Sequence, residues 1–261
     1  MSWKKISRPE ALPQGAEHHR GEAARKIVNW YTGGQDRGEL GARLDYLTGR
    51  ADRSAADLVR DLGGARSAAR AIGAGYSTVR DWAAGRHSPS AAHRDALEKA
   101  GRRATVNELG GTKAVARLTG RSESSVRGWA RRRVNVKGDA VHRLNKHEVR
   151  QRHRSARQQQ GQDPKQPLYL KTTGHVRVKG KTRTPEYLAD RSVCHEITDT
   201  VQSRIEDALA RGEDPSQVHQ IIERDLTESE SYANLGVGLY DGREHGFFLD
   251  RIDSIDMDTQ R

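Results

Sequence analysis

Side chains suited to gripping a polyanion are gathered at two places in this sequence, in the same order each time. Residues 62–86, LGGARSAARAIGAGYSTVRDWAAGR, and residues 109–133, LGGTKAVARLTGRSESSVRGWARRR, align without a gap at a constant offset of 47 positions, with about half the positions identical. In the first copy Ser77, Thr78, Arg80 and Asp81 face outward near the start of a short amphipathic segment; in the second, Glu123, Ser124, Ser125, Arg127 and Gly128 do. Hydroxyls and guanidinium groups so placed can hydrogen-bond base edges in a major groove, with Arg matched to the paired acceptors of guanine. Arg131, Arg132 and Arg133 extend the second segment and suit phosphate contact, which supplies affinity and salt dependence without reading sequence. Arg86, Lys113 and Lys137 complete the set of DNA-binding candidates.

Other reactive groups lack the companions that their chemistry needs. Tyr169, Tyr187, Tyr232 and Tyr240 could act as nucleophiles in strand nicking, but no His-x-His or Arg-His-Arg constellation accompanies them. His18 and His19 are adjacent, a poor spacing for metal ligation. Gly33–Gly34 and Gly236-Val-Gly238 lack the Lys-Ser/Thr of a phosphate loop. Asp250, Asp253, Asp256 and Asp258 lack the Gly and terminal Glu of a calcium loop, and read as an acidic strand edge. No catalytic residue, metal site or resident cofactor is assigned.

The elements that must position the reading side chains follow from the spacing. A small residue, Gly four on, an aliphatic six later and an apolar residue three further describe a helix-turn-helix: Ala69, Gly73, Val79 and Trp82, then Ala116, Gly120, Val126 and Trp129. Ala permits close helix approach, Gly takes the strained turn, and the last two form the buried stripe of a recognition helix. Asp81 stands where the second copy has Gly128, and of the Arg131–Arg133 run the first copy keeps only Arg86. The second copy is therefore the expected stronger phosphate binder.

Charge is segregated along the chain. Residues 62–157 hold 22 Lys/Arg against 7 Asp/Glu, whereas residues 185–261 hold 7 against 18, within a formal net charge of +11. A basic middle beside an acidic end points to a polyanion-binding part joined to a part with another task. No run approaches the ~18 apolar residues of a membrane span, and Met1–Arg20 lacks a secretory apolar region. The lone Cys194 fits a reducing cytoplasm and excludes cysteine-ligated zinc.

The predicted architecture is a mainly α N-terminal half with tandem helix-turn-helix units, followed by a C-terminal α+β domain of order ββααββ. Its parts are a flexible tail (1–21), a helical segment (22–61) that is either a cap packed on the first helix-turn-helix or a partner-docking segment, unit 1 (62–104), unit 2 (105–153), a linker (154–167, its basic and glutamine-rich character beginning at Arg150) and the α+β domain (168–261). Ser88–Pro89–Ser90 stops one helix and caps the next, Ala91–Ala100; another runs from about Asp139 to His153. In the α+β domain, strands are predicted at Leu168–Leu170 and His175–Lys181 about a turn at Gly174. A helix follows over Ala189–Arg211, on Val193, Ile197, Val201, Ile205 and Leu209, and a second opens at Asp214–Pro215. Two more strands are predicted at Gly236–Tyr240 and Gly246–Ile252.

The segment LGGTKAVARLTGRSESSVRGWARRR resembles the terminal proteins of linear actinobacterial chromosomes and plasmids, which share a helix-turn-helix of the type GTKAVA…G.S..TV.R. The resemblance covers roughly residues 105–252, closely in the helix-turn-helix and by pattern beyond it. The additional first repeat is like the longer, plasmid-borne members. What this resemblance implies is protein-primed end patching: a side-chain hydroxyl accepts the first deoxynucleotide and stays covalently joined to the DNA 5′ end. In that family the acceptor is a threonine in the loop after the strand pair; by position this is Thr184, with Thr182 next and Tyr187 competing. Lys179, Lys181 and Arg183 bring positive charge to the neighbourhood of a triphosphate. The activating metal ions would belong to the polymerase, so the chain would be a protein primer and not an enzyme. Implied partners are telomeric DNA (duplex or 3′ overhang), a DNA polymerase, a telomere-associated protein and a further copy of the chain, at DNA ends in the nucleoid. The alternative is a helix-turn-helix transcriptional regulator with a C-terminal oligomerisation domain.

Overall fold

The structure is a computed structural model that describes residues 16–34, 37–132, 134–163, 165–179, 187–229 and 246–258. It divides into two units, Arg37–Glu148 and a second built from Met1–Asp36 with Val149–Arg261.

The first unit is helical. It contains α2 (Gly38–Thr48), α3 (Ala55–Asp61), α4 (Ala65–Ile72), α5 (Tyr76–Ala83), α6 (Ala91–Glu108), α7 (Gly111–Thr119), α8 (Glu123–Ala130) and the first part of α9 (Asp139–Gln159). Serines cap α3, α6 and α8. The Asp57 amide donates to Ser54 Oγ at 3.1 Å while the Ser54 amide donates to Asp57 Oδ2 at 3.2 Å, a reciprocal cap on α3. Ser90 and Ser122 cap α6 and α8 through the amides of His93 and Ser125.

Two hydrophobic cores fill this unit. Tyr46, Leu58, Val59, Ala68, Ala69, Val79, Trp82 and Leu97 form the first; Leu44, Leu47, Val106, Leu109, Val115, Val126, Trp129 and Leu144 lie in the second. The boundary expected at residues 104/105 falls inside α6, which is continuous past the Ala100 end expected for it. Its Leu97 enters one core, and its Val106, with Leu109 just beyond its end, enters the other. At the 47-residue offset Val59 of α3 and Leu62 just beyond it match Val106 and Leu109, and Leu97 matches Leu144. The end of α6 therefore repeats α3, so one helix closes the first bundle and opens the second. Helix α2 caps both, sending Tyr46 to the first core and Leu44 and Leu47 to the second. Arg102 of α6 donates to the carbonyls of Tyr46 (3.3 Å) and Leu47 (3.4 Å) at the end of α2 and to Asn135 Oδ1 (2.8 Å). A cation there satisfies carbonyls that the helix leaves unpaired.

The second unit holds α1 (Ala16–Thr32), the rest of α9, β1 (Leu168–Lys179), β2 (Tyr187–Ile197), α10 (Asp199–Arg211), α11 (Pro215–Glu228) and β3 (Gly246–Asp258). The strands form an antiparallel sheet of order β2-β1-β3. Leu168, Leu170, Val176, Val193, Ile197, Phe247 and Leu249 pack there against Val201, Ile205, Val218, Ile222 and Leu226 of the helices and Ile27 and Tyr31 of α1. The fold is thus mainly α with tandem helix-turn-helix units, joined to an α+β domain. The strand expected at Gly236–Tyr240 lies outside the described residues.

Four expectations are corrected. The helix predicted over Ala189–Arg211 is a strand to Ile197 and a helix only from Asp199, capped by the Thr198 hydroxyl. Val193 and Ile197 pair opposite Thr172 and Leu168; a spacing of four satisfies a two-residue period as well as a helical one. Gly174 is no turn, because β1 runs straight through it. The sheet is irregular at Thr173/Gly174, and a Cβ on Gly174 would stand 2.0 Å from the Arg251 carbonyl oxygen. The residue is glycine so that two backbones can meet. Residues 22–32 are not a cap on the first helix-turn-helix: α1 starts at Ala16, inside the expected tail, and Arg20 pairs with Glu223 (2.8 Å) and Asp250 (3.0 Å) in the α+β unit. Finally, the basic stretch from Arg150 is helical to Gln159, so the connection to β1 begins later than expected.

Candidate nucleic-acid interface

The two turns are built alike. Gly73 and Gly120 close α4 and α7 with φ of 69° and 65°, a left-handed backbone that a side chain would strain. Val79 and Val126 are fully buried and Trp82 and Trp129 nearly so. Burying that stripe turns the opposite face of each recognition helix outward. Ser77, Thr78 and Arg80 of α5 are exposed and Asp81 half-buried; Glu123, Ser124 and Arg127 of α8 are exposed, with Ser125 and Gly128 half-buried. Ser122 Oγ lies 2.9 Å from Ser124 Oγ and 3.0 Å from Ser125 Oγ, so the serine hydroxyls of α8 are held beside its cap.

The copies differ in electrostatics. On α5, Arg86 Nε donates to Asp81 Oδ1 at 3.2 Å, a second Arg86 nitrogen pairs with the same oxygen, and Arg80 Nε lies 3.6 Å away. Hydrogen bonding from Arg86 holds the Asp81 carboxyl below the usual carboxylate range. Both expected cations of the first copy are thus already opposite a carboxylate.

Around α8 a concavity of about 960 Å³ is lined by Arg121, Ser124, Ser125, Arg127, Arg131 and Lys137, among others. Position 128 is glycine, and Arg127 pairs with Glu123 at 3.4 Å on the exposed surface. Such a pair is worth at most about 1 kcal/mol and does not compete strongly with phosphate. Arg121 was not singled out from the sequence, although it immediately precedes the capping Ser122. Arg66, exposed on α4, is the 47-residue counterpart of Lys113, exposed on α7; the repeat alignment contained that match.

Arg132 departs from expectation. It takes a left-handed backbone (φ 58°) and forms an ion pair with Glu98 of α6, with Asp95 3.7 Å away. Its charge braces the second copy against the first instead of lining the concavity. Arg133 lies outside the described residues.

The acceptor candidates Thr182 and Thr184, with Lys181 and Arg183, also lie outside them. Tyr187 opens β2 opposite Val178, and its side chain is not among those described. The acidic edge expected at the chain's end is corrected at Asp250. Burial alone would raise this carboxyl, but Arg177, which donates to it at 2.8 and 3.1 Å, and Arg20 hold it below the ordinary range. It is a buried structural ion, and β3 also carries the core residue Ile252. Removing Asp250–Arg261 would take most of β3 out of the sheet.

Among the described residues no cluster of three His, Cys, Asp or Glu is placed to hold a metal, and no helix is long and apolar enough to cross a membrane. No protein-family model, curated protein or solved structure matches the chain.

Proposed function

We propose that the chain binds duplex DNA through both recognition helices, α5 and α8, and acts as the terminal protein of a linear replicon. The observation that carries the DNA-binding reading is the pair of outward-facing recognition helices within one folded unit, the second beside an open concavity rimmed by Arg121, Arg127, Arg131 and Lys137. Positive side chains around a recognition helix are the electrostatic footprint of a phosphate backbone. The terminal-protein reading rests in addition on the resemblance of the second copy. In it a hydroxyl of the segment Lys181–Tyr187, foremost Thr184, attacks the α-phosphate of a deoxynucleoside triphosphate. The hydroxyl proton is lost, a phosphodiester to the protein forms and pyrophosphate leaves. Polymerase-bound metal ions supply the activation, and the chain itself turns over nothing.

The test has two parts. Titration of labelled duplexes ending in a replicon terminus against the full-length protein measures binding. Intact mass measurement after incubation with polymerase-containing extract and one deoxynucleotide measures priming. Specific binding with a one-nucleotide adduct that Thr184→Ala abolishes is the expected result. Specific binding without any adduct returns the chain to the regulator class, and absence of duplex binding refutes both.

A further inference from the structure

Among the described residues, two large hydrophobic side chains are exposed, Tyr76 at 49% and Val134 at 54%, and each belongs to a reader. Tyr76 is the first residue of α5, directly before Ser77 and Thr78 and on the same helix face as Arg80, four residues on. Its ring lies under the guanidinium of Arg66 at 5.9 Å, which holds the aromatic edge beside the cation at the head of α4. Val134 follows α8 and lines the concavity between Arg131 and Lys137; a methyl placed on Gly128 would rest 3.6 Å from its Cγ2. It therefore lies against the outward face of the recognition helix.

Exposed apolar surface ringed by hydroxyls and cations suits a ligand with a charged backbone and an apolar group between its charges. The thymine 5-methyl group in a major groove has that character, and side-chain carbon is its usual contact. A protein partner would have to desolvate the surrounding cations, Arg66 beside Tyr76 and Arg131 and Lys137 beside Val134, whereas DNA brings phosphates to pair with them.

We propose that Tyr76 and Val134 are specificity-determining residues that contact thymine methyl groups, one in each half of the bound site. This rests on the DNA-binding reading. The copies have exchanged ends. Position 123, the counterpart of Tyr76, is Glu, and position 87, the counterpart of Val134, is His. The first reader carries its apolar contact at the start of its recognition helix, and the second just beyond the end. The methyl-sensitive base pairs thus sit at opposite ends of the two half-sites.

Deoxyuridine in place of thymidine removes the methyl alone. A duplex selected from a random pool by the full-length protein is resynthesised with one such replacement at a time, and affinities are measured for wild type, Tyr76→Ala, Val134→Ala and Tyr76→Phe. Loss of a well-buried methyl contact weakens binding about fourfold. Wild type is expected to show that loss at one or more positions in each half-site. Tyr76→Ala erases it in one half only, Val134→Ala in the other, and Tyr76→Phe keeps it. Equal binding of thymidine and deoxyuridine duplexes by wild type overturns the proposal, and an effect that survives its own alanine variant overturns that residue's assignment. Failure of wild type to select any duplex is a different outcome, which refutes DNA binding itself and this inference with it. Both side chains are exposed, so the variants retain the wild-type thermal transition.

Discussion

Replacing Arg131 and Lys137 with alanine tests where phosphate affinity resides. Both are exposed and line the concavity beside α8, and among the described residues neither is opposed by a carboxylate in the way that Asp81 opposes Arg80 and Arg86. Each phosphate neutralised adds about −0.9 to the slope of log affinity against log salt. If both cations engage phosphate, the variant's slope is shallower than wild type by about 1.8. Over a rise from ~50 to ~200 mM salt, wild type then loses roughly 12-fold more affinity than the variant. The matched change on the first copy, Arg80 and Arg86 to alanine, removes charges that Asp81 already balances, so the slope moves by less than about 1. Fluorescence anisotropy on one labelled duplex at several salt concentrations reads all three slopes. Equal slopes for wild type and the Arg131/Lys137 variant, or equal shifts for the two double variants, refute the assignment of phosphate contact to the second reader.

The converse change, Asp81→Asn, releases Arg80 and Arg86 and is expected to tighten duplex binding at low salt and steepen the salt slope; unchanged affinity in the same assay counts against the lock. Gly174→Ala forces a side chain onto the Arg251 carbonyl oxygen and should destabilise the α+β unit by about 2 kcal/mol or more, read as a lowered urea midpoint. His153 is held near pKa 4 by burial, its Nδ1 donating to the Tyr31 carbonyl at 2.9 Å and its ring stacked on Tyr31. The folded state thus takes up this proton later than the unfolded chain, and the stabilisation present above the ordinary histidine pKa of about 6.5 is lost as pH falls towards 4. Between pH 7 and ~4.5 wild type should lose roughly 2.5 kcal/mol more than His153→Phe, which keeps the stack without the proton; identical pH dependence in urea titrations would remove His153 from the account.

What was readable in the sequence was local and repeated. Gly73, Val79 and Trp82 recur as Gly120, Val126 and Trp129 without a gap, and each pair has the same burial and backbone. The sharing of α6 was also present, since Val59, Leu62 and Leu97 recur as Val106, Leu109 and Leu144, but those matches lie in stretches where apolar residues alone persist. The α+β unit was harder because its pattern is ambiguous: Val193, Ile197 and Val201 keep one spacing across a strand-to-helix junction, and only Thr198 marks the change. Placement of α1 depends on Arg20 meeting Asp250, 230 positions away, which no window of sequence reports. Within the run Arg131–Arg132, one side chain lines the concavity and the next pairs with Glu98. The difference arises from a single left-handed residue at the helix end. Composition registers both as charge.

The shared helix changes what the duplication means. Two helix-turn-helix units on a flexible tether would each pay the cost of orientation on DNA separately, with a local concentration set by the tether. Here α6 carries Leu97 into one core and Val106, with Leu109 just beyond its end, into the other. Arg102 fastens the same helix to the end of α2 and to Asn135, and Glu98 holds Arg132 just beyond α8. Turning one reader relative to the other would unpack a core and expose buried ions, a cost of several kcal/mol. The spacing and rotation between α5 and α8 are accordingly set by the fold before DNA is met. If both helices bind DNA as proposed, this preorganisation would let a weakly charged first helix contribute selectivity while the Arg-rich second supplies the hold. Under the proposed DNA-binding function the inequality of the copies is a division of labour between parts of one folded unit: Asp81, paired with Arg80 and Arg86, would keep the first helix from gripping any duplex until the second is engaged.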